Sequence, residues 1–231
     1  MPNKTLLQLR EDSRRAAGLT KDADAVPDLT LNEYVNQSWH ELYDLITDAD
    51  DGRIFAKTTT NPIPLGRNSF KLPEDHYRLV SCDVRRGEYY TPAERADPSE
   101  MSTLAATTRD NTYDIPKYFL RWNINIGEWH IFIYPAVPEG MLSITYIPTP
   151  KELAVDGDSL SNPASWLSFV TYGAAVKMLN QLERDASAQL IELKRIGQRI
   201  EDSVNDLDVN YPAVVRDTDG RYGGSRGGWR S

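Results

Sequence analysis

Residues 129–150, WHIFIYPAVPEGMLSITYIPTP, decide the fold class of this chain. They form two strand-like runs around a Pro-Glu-Gly turn at residues 138–140. From Asn162 onward the apolar residues change to the spacing of a long helix. A β-rich block therefore stands between helical segments, and no catalytic motif accompanies it. This order favours a building block over an enzyme.

The strands before this stretch extend the β block. Residues 118–126 alternate apolar and polar side chains, which predicts a half-buried strand, and Gly127-Glu128 predicts a two-residue hairpin turn into residues 129–134. The other predicted strands lie at residues 142–146, 53–60 and 78–86. We expect an antiparallel meander that forms a small β-sandwich or barrel. Residues 91–111 read as a long loop with a helical turn after Pro98.

Helical patterns occupy the N-terminal part of the chain. A first helix is predicted at residues 5–17 and ends at Gly18. A second begins at a capping box formed by Thr30 and Glu33 and ends near the acidic residues 48–51. Its apolar face needs a partner, which we expect from the C-terminal helices.

The C-terminal pattern predicts a helical hairpin. Asn162 is expected to cap its first helix, with Pro163 in the first turn, and a break near Asp185 separates it from the second. The residues expected to pack the helices together are Trp166, Val170, Ala174, Leu182, Leu193 and Ile200. The predicted class is α+β, with a helical bundle at 1–52 and 160–207, an inserted β domain at 53–159 and an extended arm at 208–231.

The composition describes a folded, acidic protein. The net charge is −8, and 40% of the residues are hydrophobic. No stretch approaches the roughly 20 apolar residues of a membrane span, so we expect no membrane insertion. We expect the chain to be synthesised and to fold in a cytoplasm. The single cysteine, Cys82, alternates with Val80 and Val84, which predicts a buried thiol.

Motifs for catalysis, cofactors and metals do not stand out. The chain has no glycine-rich phosphate loop, and HELYD at residues 40–44 has Asp44 where a zinc helix needs its second histidine. We expect structural roles for His40, His76 and His130, and solvated turns at the aspartate clusters. A carboxylate pair for glycoside hydrolysis stays open, because its separation depends on the fold.

Three surfaces suggest interactions. Residues 129–134 are apolar on both faces, so this strand is either covered twice within the subunit or pairs across a subunit boundary. Aromatic residues and arginines in the arm predict a docking segment or a single-strand-binding segment. The arm candidates are Tyr211, Arg221, Tyr222, Arg226, Trp229 and Arg230. Acidic residues that could face a DNA channel, or simply solvent, are Asp48, Asp50, Asp51, Asp97 and Glu100.

Three segments together resemble the head-to-tail adaptor proteins of tailed bacteriophages, especially the short-tailed kind. They are FKLPEDHYRLVSCDV from Phe70, IFIYPAVPEGMLSITYIPTPKEL from Ile131 and NPASWLSFVTYGAAVKMLNQLERD from Asn162, and the resemblance spans residues 29–207. It implies a virion protein without catalytic residues or cofactors, in a ring of about twelve copies between the portal and the tail nozzle or fibres. DNA would only pass through this ring.

Two other classes of function are weighed against the adaptor. One is another virion component, such as a stopper or a protein that docks tail fibres. The other is a carbohydrate-active or nucleic-acid-processing enzyme, which would work without assembly. The mass of the native particle separates these hypotheses, because only the first requires a ring of many copies.

Overall fold

The computed structural model describes residues 3–20, 22, 25–50, 52–64, 67–86, 88–100, 115–124, 126–134 and 140–209. These residues contain four α-helices: α1 (Leu6–Ala16), α2 (Asp28–Ala49), α3 (Ala164–Gln181) and α4 (Ser187–Val209). The strands are β1 (Lys4–Thr5), β2 (Lys57–Ile63), β3 (Ser69–Lys71), β4 (His76–Arg86), β5 (Tyr89–Pro92), β6 (Glu94–Arg95), β7 (Lys117–Asn123), β8 (Glu128–Tyr134), β9 (Gly140–Pro148) and β10 (Ser159–Leu160). The predicted α+β class is confirmed.

The start of α1 follows from a capping box. The Thr5 side chain accepts a hydrogen bond from the Gln8 N–H at 3.3 Å, and the Gln8 side chain accepts one from the Thr5 N–H at 3.0 Å. Gly18 lies just beyond the helix with φ +71°, a conformation that favours glycine. The predicted first helix is confirmed.

The predicted start of α2 is wrong by three residues, because the residue at the N-cap is Pro27 and not Thr30. The helix begins at Asp28 after Pro27, so Thr30 and Glu33 lie inside it and form no capping box. The Arg14 side chain donates to the Asp28 carboxylate at 2.6 Å. A carboxylate in the first turn is also favoured by the helix dipole. These tertiary contacts select a start that the local capping pattern does not show.

The starts of the last two helices depend on different residues. Pro163 precedes α3 and no side chain caps it, so the predicted Asn162 cap is wrong. The break near Asp185 is confirmed. The Asp185 carboxylate accepts the Ser187 N–H at 3.0 Å and thereby satisfies a backbone donor at the start of α4.

Two four-stranded sheets make up the β block, in the orders β2-β9-β4-β5 and β3-β8-β7-β6. The predicted meander is wrong, because β8 and β9 belong to different sheets. Neighbouring strands are antiparallel except β6 and β7, which are parallel. Within the described ranges neither sheet closes into a barrel.

Three local predictions in the β block need correction. Residues 53–55 form a 3-10 turn before β2. Strand β7 ends at Asn123, whose carbonyl accepts the Gly127 N–H at 2.8 Å, so the connection to β8 is longer than the predicted two residues. Val80 is 37% exposed although Cys82 and Val84 are buried, because a register shift between Leu79 and Ser81 turns it off their face. The helical turn after Pro98 is confirmed.

The described residues form two hydrophobic clusters. The helical core holds 27 buried residues, most of them from the four helices, and Ile147, Leu153 and Leu160 are among the others. The β core holds ten buried residues, contributed by both four-stranded sheets. The two cores meet along the end of β9, where the Tyr43 hydroxyl of α2 donates to the Pro148 carbonyl at 2.6 Å.

Candidate assembly surfaces

The residues predicted to pack the helices lie in the helical core. Trp166, Val170, Ala174 and Ile200 are buried there, and Leu182 and Leu193 are partly buried against it. Helix α3 runs close to α2 at Gly173, where an added Cβ would lie only 2.7 Å from the Ser38 Oγ. This set therefore packs the helices together and contributes little to the exposed surface.

An aromatic cluster fixes the β block against α2. The rings of Tyr43 and Phe55 stack at 4.2 Å, and Trp39 and Tyr77 meet Tyr43 edge-on at 5.6 and 6.3 Å. Burial raises the pKa of Tyr43 to about 12, so this hydroxyl stays a donor at neutral pH. The Tyr77 hydroxyl donates to the Asp44 carboxylate at 2.8 Å. Polar bonds and ring contacts together hold the two parts in one orientation.

Two of the acidic channel candidates lie at the C-terminal end of α2. Arg78 donates to the Asp48 carboxylate and to the Thr47 carbonyl, each at 3.0 Å. This guanidinium offsets the negative end of the helix dipole. The Asp50 carboxylate accepts the Ile54 N–H at 2.7 Å. Both carboxylates thus have local structural partners as well as solvent access.

Two more acidic candidates, Asp97 and Glu100, lie on the segment between β6 and β7. Asp97 accepts the Ser99 N–H at 2.8 Å, and hydrogen bonds from Ser99 lower the Asp97 pKa. Glu100 accepts two bonds from Lys117, at 2.9 and 3.0 Å, which lower the Glu100 pKa. The Asp97 N–H also donates to Glu100, so the structure brings these two together. Asp51 lies outside the described residues.

The arm candidates all lie outside the described residues, which end at 209. They are Tyr211, Arg221, Tyr222, Arg226, Trp229 and Arg230.

Strand β8 has one buried and one partly buried face. Ile131 and Ile133 lie in the β core. On the opposite face the ring of Phe119 stacks on Phe132 at 4.9 Å and on Tyr134 at 5.7 Å. Cross-strand stacking therefore covers part of this second face.

An exposed apolar tip lies where β7 turns into β8. It consists of Trp122, Ile124, Ile126 and Trp129, which are between 43% and 84% exposed. The two tryptophan rings meet edge-on at 5.5 Å. Alternating periodicity assigned all four to a strand face and so concealed this surface. A turn predicted two residues before Gly127 would have placed Ile124 and Ile126 in the connection and so indicated this exposed surface.

The described residues offer little for catalysis. No group of three or more His, Cys, Asp or Glu side chains among them could hold a metal ion. His76 is partly buried, which lowers its pKa, and His130 hydrogen-bonds Ser69 at 3.2 Å. Burial raises the pKa of the Cys82 thiol to about 12, so it is a poor nucleophile at neutral pH. No helix in the described ranges is long and apolar enough to cross a membrane.

Comparison with known proteins gives one positive finding. The family model described as SU10 adaptor protein matches residues 4–217. The match runs through all four helices and both four-stranded sheets. No curated protein matches the sequence.

Proposed function

Because the chain belongs to the SU10 adaptor protein family, it is a structural head-to-tail adaptor of a tailed bacteriophage, and we propose that it forms a ring of about twelve copies beneath the portal. The single observation behind this proposal is the extent of the family match, which covers both cores. The ring joins the capsid to the tail nozzle or tail fibres, and DNA passes through its centre without a specific site.

We also propose how the helices and sheets are arranged into domains. In it the two four-stranded sheets form a sandwich, α3 and α4 form a helical hairpin, and residues 53–159 form a domain inserted between 1–52 and 160–207. The support is that residues of both sheets share the β core, while α3 and α4 share the helical core.

We propose an acidic channel wall on the basis of the net negative charge of the chain. The chain carries 34 Asp and Glu residues against 26 Lys and Arg, so a channel lined by it repels DNA phosphates. Asp48 and Glu100 are already paired with Arg78 and Lys117. We therefore expect Asp50 and Asp97, which accept backbone N–H bonds, to contribute more to the channel potential than these two. Asp51 stays a candidate outside the described residues.

The arm at residues 208–231 is proposed to dock on the portal. Trp229 serves as its apolar anchor, and Arg221, Arg226 and Arg230 pair with acidic groups of the portal. Tryptophan and arginine are the residue types that most often dominate such contacts. Truncation after Val209 should leave the fold intact and weaken portal attachment, and Trp229→Ala should cost about 2 kcal/mol of binding free energy.

Electron microscopy and mass measurement of the full chain mixed with its phage's portal protein test the function. The expected result is a ring of chains on one face of the portal, with the truncated chain retained less well. A chain that stays monomeric with portal and hydrolyses a polysaccharide contradicts the adaptor assignment. A chain that joins only assembled tails favours a stopper or fibre-docking role.

A further inference from the structure

An exposed aromatic residue lies at one end of the β block. Tyr89 begins β5, directly after the connection from β4, and is 79% exposed. Its neighbour Tyr90 is held by Arg85, whose guanidinium lies 5.5 Å from the ring centre. Glu88 precedes Tyr89 and is also exposed. This end therefore presents a protruding phenol ring beside a carboxylate.

A cavity of about 300 Å³ lies at the other end of the β block. Its walls include Leu79, Tyr118, Leu120 and Trp129, and Arg78 and Arg95 also line it. Ligand cavities run from roughly 300 to 1,000 Å³, so this one suits a single side chain better than a cofactor. The Arg78 guanidinium is bonded to Asp48 and Thr47, so Arg95 is the cation of this cavity that matches an incoming carboxylate. Aromatic and aliphatic walls beside it are matched by an aromatic side chain next to that carboxylate.

The aromatic end and the cavity cannot meet within one molecule. The cavity is lined by residues at the start of β4, and Tyr89 follows the end of that strand. Tyr89 pairs with Arg86, seven residues along β4 from Leu79, and Arg95 follows Tyr89 by six residues. At about 3.3 Å per residue the two sites are therefore roughly 20 Å apart, well beyond the reach of a tyrosine side chain. Two complementary features at opposite ends of one body produce a head-to-tail contact between copies, and such contacts close into rings when the rotation permits.

We propose that Tyr89 of one copy inserts into the cavity of the next copy, with Glu88 beside Arg95. This inference rests on the proposed ring and names one of its subunit contacts. A second copy is the occupant, because the Tyr89 phenol ring, the Glu88 carboxylate and the cavity that matches them all belong to this chain. The apolar tip at Trp129 borders the same cavity, so the arriving copy covers part of it.

The contact is small and therefore weak in isolation. A buried tyrosine removes about 150–250 Å² from solvent, while a stable interface needs roughly 800 Å² from each partner. Further contacts between neighbouring copies must supply the remaining interface area. Covalent trapping is therefore the appropriate test, because it captures contacts that dissociate rapidly.

Disulfide trapping uses two full-length single variants, Glu88→Cys and Arg95→Cys, oxidised separately and as a mixture. The buried Cys82 thiol is a suitable background, because its raised pKa disfavours the reactive thiolate. We expect cross-linked pairs only in the mixture. Adding Tyr89→Ala to the Glu88→Cys chain should lower the yield about tenfold or more, as for a hot-spot residue, while Tyr90→Ala should not.

Several outcomes overturn the contact. Pairs in either separate sample indicate a symmetric interface, and an equal yield with Thr60→Cys, an exposed position within β2, indicates random collision. A yield that is unchanged by Tyr89→Ala, or no pairs at any concentration, removes the contact. If portal protein protects the cysteine of the Arg95→Cys variant from oxidation and a second copy does not, the portal is the occupant of the cavity. Rings that form on the portal without this cross-link refute the contact alone and leave the adaptor function standing.

Discussion

The helical core and the β core differ in size and in what they leave exposed. Among the described residues, the helical core contains 27 buried side chains and the β core only ten. The β block nevertheless exposes Trp122, Ile124, Trp129 and Tyr89. A small core with large apolar residues outside it indicates a part selected for contacts with other subunits. The helices also expose apolar residues, Leu29 and Ile191 among them, but within the described residues the exposed aromatic rings all belong to the β block.

The strongest way to break this comparison is a large truncation in the helical core. Trp166→Ala should lower the free energy of unfolding by about 3–5 kcal/mol, because it removes a buried ring from α3. The denaturant midpoint measures this loss. Leu190→Ala on α4 is the control, since Leu190 is 40% exposed, and the two variants should differ clearly. Equal, small losses would place Trp166 at a surface.

A truncation in the β core tests whether the two parts unfold together. Ile144→Ala, at a fully buried position of β9, should cost about 3 kcal/mol. Hydrogen exchange should then show lost protection in β2, β4 and β9, with protection in α3 retained. Equal loss of protection in α3 would show that the cores form one cooperative unit.

The junction between the two cores can be probed at Gly52. Its φ is +79°, and an added Cβ would lie 1.9 Å from the Ile147 Cδ1, which is buried in the helical core. Gly52→Ala should cost about 1–3 kcal/mol from backbone strain and displacement of Ile147. Gly157→Ala is the matched control, because a Cβ added at that position would meet no atom within 4 Å. Thermal unfolding of both variants measures the difference.

The smallest expected effect concerns the segment that leads from β9 back to the helices. Asp158 accepts the N–H groups of Val155 and Ala154 and a bond from Lys151, which lower its pKa to about 2. Because the folded pKa is depressed, the stabilisation is present above the ordinary value of 3.8 and is lost as pH falls toward 2.

Asp158→Asn should therefore lie closest to the native protein in stability at low pH and furthest from it near neutrality. Denaturant midpoints recorded across this pH range measure the change. Glu152→Gln, at an exposed position of the same segment, is the control. If both variants respond to pH alike, the hydrogen bonds of Asp158 are not the cause.

Periodicity and capping chemistry predicted much of the fold. The α+β class, the first helix, the break at Asp185 and the turn after Pro98 depend on neighbouring residues, and all are confirmed. The start of α2, the assignment of β8 and β9 to different sheets and the exposure of Val80 depend on distant residues, and the predictions for them were wrong. The arm candidates lie outside the described residues and stay predictions.

The sequence by itself determined the elements, the acidic charge and the resemblance to phage adaptors, because these reside in local spacing and residue type. Only the tertiary structure decided where the surfaces lie. It brought the start of β4 beside Leu120 and Trp129 to form a cavity, and it placed Tyr89 at the opposite end. Strand pairing sets these positions through register, and a shift of a single residue turns every side chain to the other face.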